Sequence, residues 1–192
     1  MAHPIAVGIK TGIVTTAAIL TTISVYNHFK LPDNIPLRNG VYTISGSITK
    51  QTAEDFLKVS RNEGLVVETV KLNSQGGAAW SALDIADEVD LKGYDTLLSP
   101  GDQCDSACTF VFLAGDTIKM GDEIGFHEPS TAGIPFRKLT GSRKKAAEEF
   151  EVMLTKKMFN YGFKPEMVEY MFSVHNETVE YVDIEKLKGY RR

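Results

Sequence analysis

Residues 101–115 read GDQCDSACTFVFLAG, and the passage they contain from turn to apolar run is the most informative stretch of the chain. Pro100-Gly101 marks a turn, and residues 107–114 (ACTFVFLA) are apolar on every side, which predicts a fully buried helix. Ser106 stands at the N-terminus of that helix. There the helix dipole favours an alkoxide or an oxyanion, and the N–H of Ala107 has no intrahelical partner. A serine in that place more commonly caps the helix, and this stretch read by itself favours the cap. Cys104 and Cys108, the only two cysteines, flank the serine at i and i+4. On one helical turn their Cα atoms stand about 6 Å apart, within disulfide range. The spacing does not suit a C-x-x-C redox pair, and two buried free thiols are the alternative.

Upstream, Asn73-Ser74-Gln75-Gly76-Gly77 falls where the β-branched run LVVETVKL (65–72) gives way to a helix marked by Ala82, Ile85, Ala86 and Val89. Paired glycines at a strand-to-helix turn let the backbone approach a ligand and leave N–H groups pointing outward, able to donate to a developing oxyanion. A tight turn with no ligand is the competing reading. Downstream, Gly125-Phe126-His127-Glu128-Pro129 puts a histidine at the end of a predicted strand, DEIGFHE. A lone histidine there more often has a structural part than a basic one. His3, His28 and His175 lie in a leading segment, a linker and a polar stretch, and no His/Cys/carboxylate cluster has metal-ligand spacing. No metal and no cofactor is expected.

The rest of the chain alternates strands with helices, which argues for an α/β fold with functional residues on the connecting turns. VYTISGSI from Val41 and YDTLLS from Tyr94 are strand-like. Ala53, Phe56, Leu57 and Ser60 fall on one helical face, and Ala147, Phe150, Leu154, Met158 and Tyr161 mark the longest helix. The 192 residues hold 43% apolar and 24% charged side chains, which suits one globular domain. A net charge of -4 with scattered basic residues argues against nucleic acid. The one dense run, Arg143-Lys144-Lys145, is answered by Glu148, Glu149 and Glu151 on a solvated helix face.

Residues 1–26 form a hydrophobic segment, uncharged from Thr11 to Tyr26, and residues 27–40, with two prolines and a closing glycine, form a linker to a domain at 41–192. We read the segment as an uncleaved anchor helix, with the domain on the extracytoplasmic side of a membrane (periplasmic in a bacterium). No A-x-A-like site supports a cleaved signal peptide, and a buried N-terminal helix is the other alternative.

The order of the three motifs is more specific than any one of them. NSQGG (73–77), CDSACTFVFLAG (104–115) and HEP (127–129) resemble, in sequence order, the NSPGG, serine-apolar-AG and HQP segments of the Clp protease/crotonase superfamily. The resemblance is strongest to extracytoplasmic Clp-like serine proteases with C-x-S-A-C around the serine. It spans roughly residues 41–190. It implies a ββα spiral, Ser106 as nucleophile, His127 as general base, and N–H groups of Gly76 or Gly77 and Ala107 as the oxyanion hole. It also implies a peptide or protein substrate and, through the long helix 141–161, a homo-oligomer. Gln75 departs from the family's proline. A gapless match puts Val179 where the family has its catalytic aspartate, so the third member is left open among Asn176, Thr178 and Glu180. Asp183 is better suited to capping the short C-terminal helix.

The leading functional expectation is peptide hydrolysis through an acyl-enzyme. A catalytically weak or silent Clp-like module that binds peptides or a partner protein is the alternative. Acyl-CoA chemistry of the crotonase kind is a third reading, one that would need no Ser/His pair.

Overall fold

A computed structural model describes residues 34–119, 123–131, 133–174 and 178–190, apart from the side chain of Lys188. The expected anchor at 1–26, most of the linker and Asn176 lie outside the described residues. Among those described, no helix is long and apolar enough to cross a membrane.

The domain is a mixed α/β structure built on a parallel sheet. Strands β1 (Leu37–Arg38), β2 (Val41–Ser45), β3 (Thr69–Asn73), β4 (Asp95–Leu97) and β5 (Ile118–Lys119) lie side by side in that order. β2 to β5 run parallel, while β1 folds back on β2 through Asn39-Gly40, both at positive φ (+50° and +76°). Two residues of the expected linker are therefore part of the sheet. An Asn-Gly pair between extended segments is a strong hairpin signal, because both turn positions need left-handed backbone.

Helices α1 (Lys50–Ser60), α2 (Ala79–Lys92) and α3 (Cys108–Leu113) follow β2, β3 and β4. Thr49 and Thr52 close a reciprocal capping box at the start of α1. Its buried residues are Ala53, Phe56, Val59 and Ser60. Val59 takes the inward position expected of Leu57, which is only half-buried. α2 buries Ala82, Ile85, Ala86 and Val89 and stops at Gly93 in the left-handed region (φ +64°). All six residues of α3 are buried. The Ala-Gly after it has a packing cause: a Cβ at Gly115 would lie 2.3 Å from Thr96 Oγ1, and that hydroxyl is already donating to Phe112 O.

The strand expected over 65–72 is shorter and later, at 69–73. Its partner β2 begins at Val41, which pairs with Thr69, and Glu68 is still tied by its N–H to Gly40 O and by its carbonyl to Asp95 N, but residues 65–67 have no neighbour to extend the ladder. Val66 is 66% exposed.

A second layer stands where the first sheet's strands end. β6 (Glu123–Phe126) and β9 (Glu180–Asp183) pair antiparallel. Single parallel bridges Ile48–Gly77, Ser74–Cys104 and Asp105–Gly125 continue that layer across the segments leaving β2, β3 and β4. A short hairpin β7 (Ser130–Thr131) and β8 (Ile134–Pro135), the long helix α4 (Gly141–Asn160), α5 (Glu166–Ser173) and α6 (Ile184–Lys188) complete the domain. Asp183 caps α6 by accepting from Glu185 N at 2.6 Å.

Candidate active site

Asn73 to Gly77 is fastened to the serine segment residue by residue. Asn73 Oδ1 accepts from Gln103 N, Ser74 N donates to Gln103 O at 2.6 Å, and Asp105 N donates to Ser74 O at 3.0 Å. Gly76 then presses against the serine turn. A Cβ there would meet Asp105 O at 2.6 Å, Ser106 Cβ at 2.8 Å and Ala107 N at 2.9 Å. Gly77 is equally constrained, since its Cβ would lie 2.2 Å from Ile48 O. Both need positive φ, +92° and +148°. Glycine is required twice for close approach as well as for conformation.

The two glycines then diverge. The N–H of Gly76 donates to Ser74 Oγ at 3.0 Å, which takes it away from any ligand. The N–H groups of Gly77 and Ala107 make no hydrogen bond among the described residues. Of the three backbone donors expected from the sequence, Gly77 and Ala107 are open and Gly76 is occupied.

Ser106 does not cap its helix. Its hydroxyl makes no hydrogen bond among the described residues, Ala107 occupies the cap position, and Ser106 itself has φ +54°. Left-handed backbone on a non-glycine residue costs about 1–2 kcal/mol, and such strain gathers at functional turns. The conformation is held from three sides. Ser106 N donates to Gly125 O at 2.8 Å, Ser106 O accepts from Thr109 N and Thr109 Oγ1, and a disulfide joins Cys104 to Cys108 with Cα atoms 5.3 Å apart. The bridge is the pairing that the i, i+4 spacing allowed.

His127 lies just past the end of β6. Its Nδ1 is 2.9 Å from Glu128 O, so the neutral ring with its proton on Nδ1 donates to that carbonyl and leaves Nε2 as the acceptor. Glu128 is buried, and its carboxylate holds both the Arg137 backbone N–H (2.6 Å) and the Arg137 guanidinium. This pairing was not read from the sequence, where the two residues are nine positions apart.

Ser106, His127, Gly77 and Ala107 line one cleft of about 540 Å³. Its remaining wall is largely apolar and includes Phe110, Phe126, Phe136, Phe150 and Met171, while Trp80 and Arg143 also border it. Trp80 is 63% exposed and packs edge-on against Phe150, with ring centres 5.3 Å apart.

The described candidates for a third member, Thr178 and Glu180, do not line that cleft. Glu180 is exposed and accepts from the Tyr170 hydroxyl. Burial and that carboxylate push the Tyr170 phenol well above its ordinary pKa. Thr178 is exposed and does not line the cleft. Val179 packs on Gly125, where a Cβ would come within 2.6 Å of its Cγ1.

No family model matches the chain, and no curated protein matches it in sequence. Among solved structures, the chain is similar to the 1510-N membrane-bound stomatin-specific protease in a mutant form. The TM-score is 0.56 at 20% identity, over 81% of this chain and 78% of that one. The domain thus shares its α/β fold with that protein over most of its length.

Proposed function

We propose that the protein is a serine peptidase that works through an acyl-enzyme. The observation that carries this reading is the meeting of four groups in one cleft: an unengaged Ser106 hydroxyl on a strained turn, the His127 ring, and the open N–H groups of Gly77 and Ala107. In the reaction, Ser106 Oγ forms a bond to the scissile carbonyl carbon while its proton passes to His127 Nε2. The carbonyl oxygen becomes an oxyanion held by the two N–H groups. Collapse breaks the C–N bond, and His127 gives the proton to the leaving amine. Water, deprotonated by the same ring, then releases the acid and restores Ser106. Ser106 and His127 are not hydrogen-bonded to each other here, and catalytic contacts of this kind often tighten only when substrate binds.

A peptide is the favoured acyl donor because the fold is shared with a protease and the cleft offers an apolar wall for a side chain. The same proposal places the domain outside the cytoplasm, in the manner of extracytoplasmic Clp-like proteases with an N-terminal anchor. The disulfide supports that placement, since such bridges persist in oxidising compartments. Self-association through α4 belongs to the proposal as well.

Labelling with a fluorophosphonate probe tests the reading. Ser106 should be modified, the label should vanish in Ser106→Ala, and it should fall steeply in His127→Ala. A folded protein that takes no label would leave the silent peptide-binding module as the better account.

A further inference from the structure

Asp105, the residue before Ser106, is 4% exposed, and its Oδ1 has no hydrogen-bond partner among the described residues. A buried carboxylate oxygen left unpaired is costly and calls for a cause. Its other oxygen is served by Gln103 Nε2 and by the Tyr181 hydroxyl at 3.3 Å. Oδ1 instead lies over Gly125. A Cβ at Gly125 would be 2.2 Å from Asp105 Oδ1 and 2.6 Å from Val179 Cγ1, so the carboxylate and Val179 share the space that glycine leaves open.

That location matters because of what stands beside it. Asp105 and Gly125 are bridge partners, and Gly125 pairs with Tyr181. Alternate residues of extended backbone share a face, which puts His127 on the side of Gly125 and Val179 on the side of Tyr181. One residue past the Phe126–Glu180 pair, the two chains carry His127 and Val179. The cleft is lined by His127 but not by Asp105, so the acid stands on the buried side of Gly125, outside the cleft.

We propose that Asp105 is the acid of this site: its buried carboxylate stabilises the imidazolium of His127 from the space over Gly125, while the Glu128 carbonyl fixes the ring's tautomer. The proposal rests on the Ser106–His127 reading and divides between two groups the work that one aspartate does in an ordinary triad. The other charged and titratable groups near His127 are otherwise engaged or face solvent. Glu128 is held by Arg137, Glu180 takes the Tyr170 hydroxyl, Tyr181 donates to Asp105 itself, and Arg143 is exposed beside the cleft.

The experiment is an NMR titration of His127 in the full chain, with probe labelling measured in parallel. In Asp105→Asn the acidic limb of the labelling profile should move to lower pH, and labelling should slow about tenfold. Adding Val179→Asp to that variant returns a carboxylate opposite His127 and should recover both. In the unmutated chain the Asp105 carboxyl carbon should show an inflection at the pKa of His127, lost in His127→Gln. That measurement holds even if the asparagine variant does not fold. An unchanged imidazole pKa in folded Asp105→Asn, or no inflection at Asp105, overturns the proposal. A lowered pKa in a protein whose serine never labels upholds the coupling and removes the peptidase reading instead.

Discussion

Gly76→Ala is the sharpest test of how the donor turn and the serine turn are joined. The added methyl would meet Asp105 O at 2.6 Å, Ser106 Cβ at 2.8 Å and Ala107 N at 2.9 Å. None of these is the loose end of a flexible side chain, so the two turns must move apart. Overpacking of that kind costs about 1–3 kcal/mol, and holding alanine at φ +92° adds about 1–2 kcal/mol. Gly46→Ala separates the two contributions, because Gly46 has φ +73° and nothing within 4 Å of its would-be Cβ. It should lose only the conformational part. Urea unfolding followed by circular dichroism reads the difference. With a slope of about 2 kcal/mol per molar, the Gly76 midpoint should lie roughly 0.5–1.5 M below that of Gly46→Ala. Midpoints within about 0.2 M of each other would mean the turns are not in contact, and the geometry of the donor pair would fall with them.

Three further outcomes are expected. Ser106→Gly should abolish probe labelling yet raise stability by about 0.5–1 kcal/mol in thermal unfolding, because glycine relieves the positive φ and the hydroxyl makes no bond to lose. Replacing Cys104 and Cys108 together by alanine should cost about 2 kcal/mol in urea unfolding, the chain-entropy value for so small a loop. Arg61→Ala should cost about 1–3 kcal/mol near neutral pH, because it strands the buried Glu88. Burial works against the Glu88 charge, but hydrogen bonds from Arg61 and Ser60 overcome it and hold the carboxyl below its usual range. A lowered carboxyl pKa stabilises above the unfolded value and ceases to as pH falls through the folded one. The gap between Arg61→Ala and the unmutated chain should therefore narrow on acidification, which unfolding at about pH 7 and about pH 3 would show.

The parts of the site that were legible in the sequence are those whose chemistry is local. Gly76 and Gly77, Ser106 before an apolar helix, the i, i+4 cysteines and Asp183 as a cap each answer to a few adjacent residues. What stayed hidden depends on neighbours far along the chain. Only the Ser74 hydroxyl distinguishes Gly77 from Gly76 as a donor. Glu128 gains its partner from Arg137 across the β7–β8 hairpin. Asp105 matters through Gly125, and nothing in a single sequence announces that bridge. The β1 hairpin is a different case, because the Asn39-Gly40 turn signal stands in the same short stretch as the two prolines that predict a linker. The strand expected at 65–67 is absent for lack of a partner rather than for lack of β-propensity.

The cysteine bridge also turns a motion into chemistry. Cys104 and Cys108 are at most 1% exposed, so a reductant in solution reaches neither sulfur while the turn is closed. Cleavage must wait for the segment around Ser106 to open, and where attack outpaces reclosing its rate measures how often the opening occurs. Alkylation of the freed thiols would record each such event permanently. The bridge is thus a built-in clock for breathing of the nucleophile turn, read by mass spectrometry without any substrate.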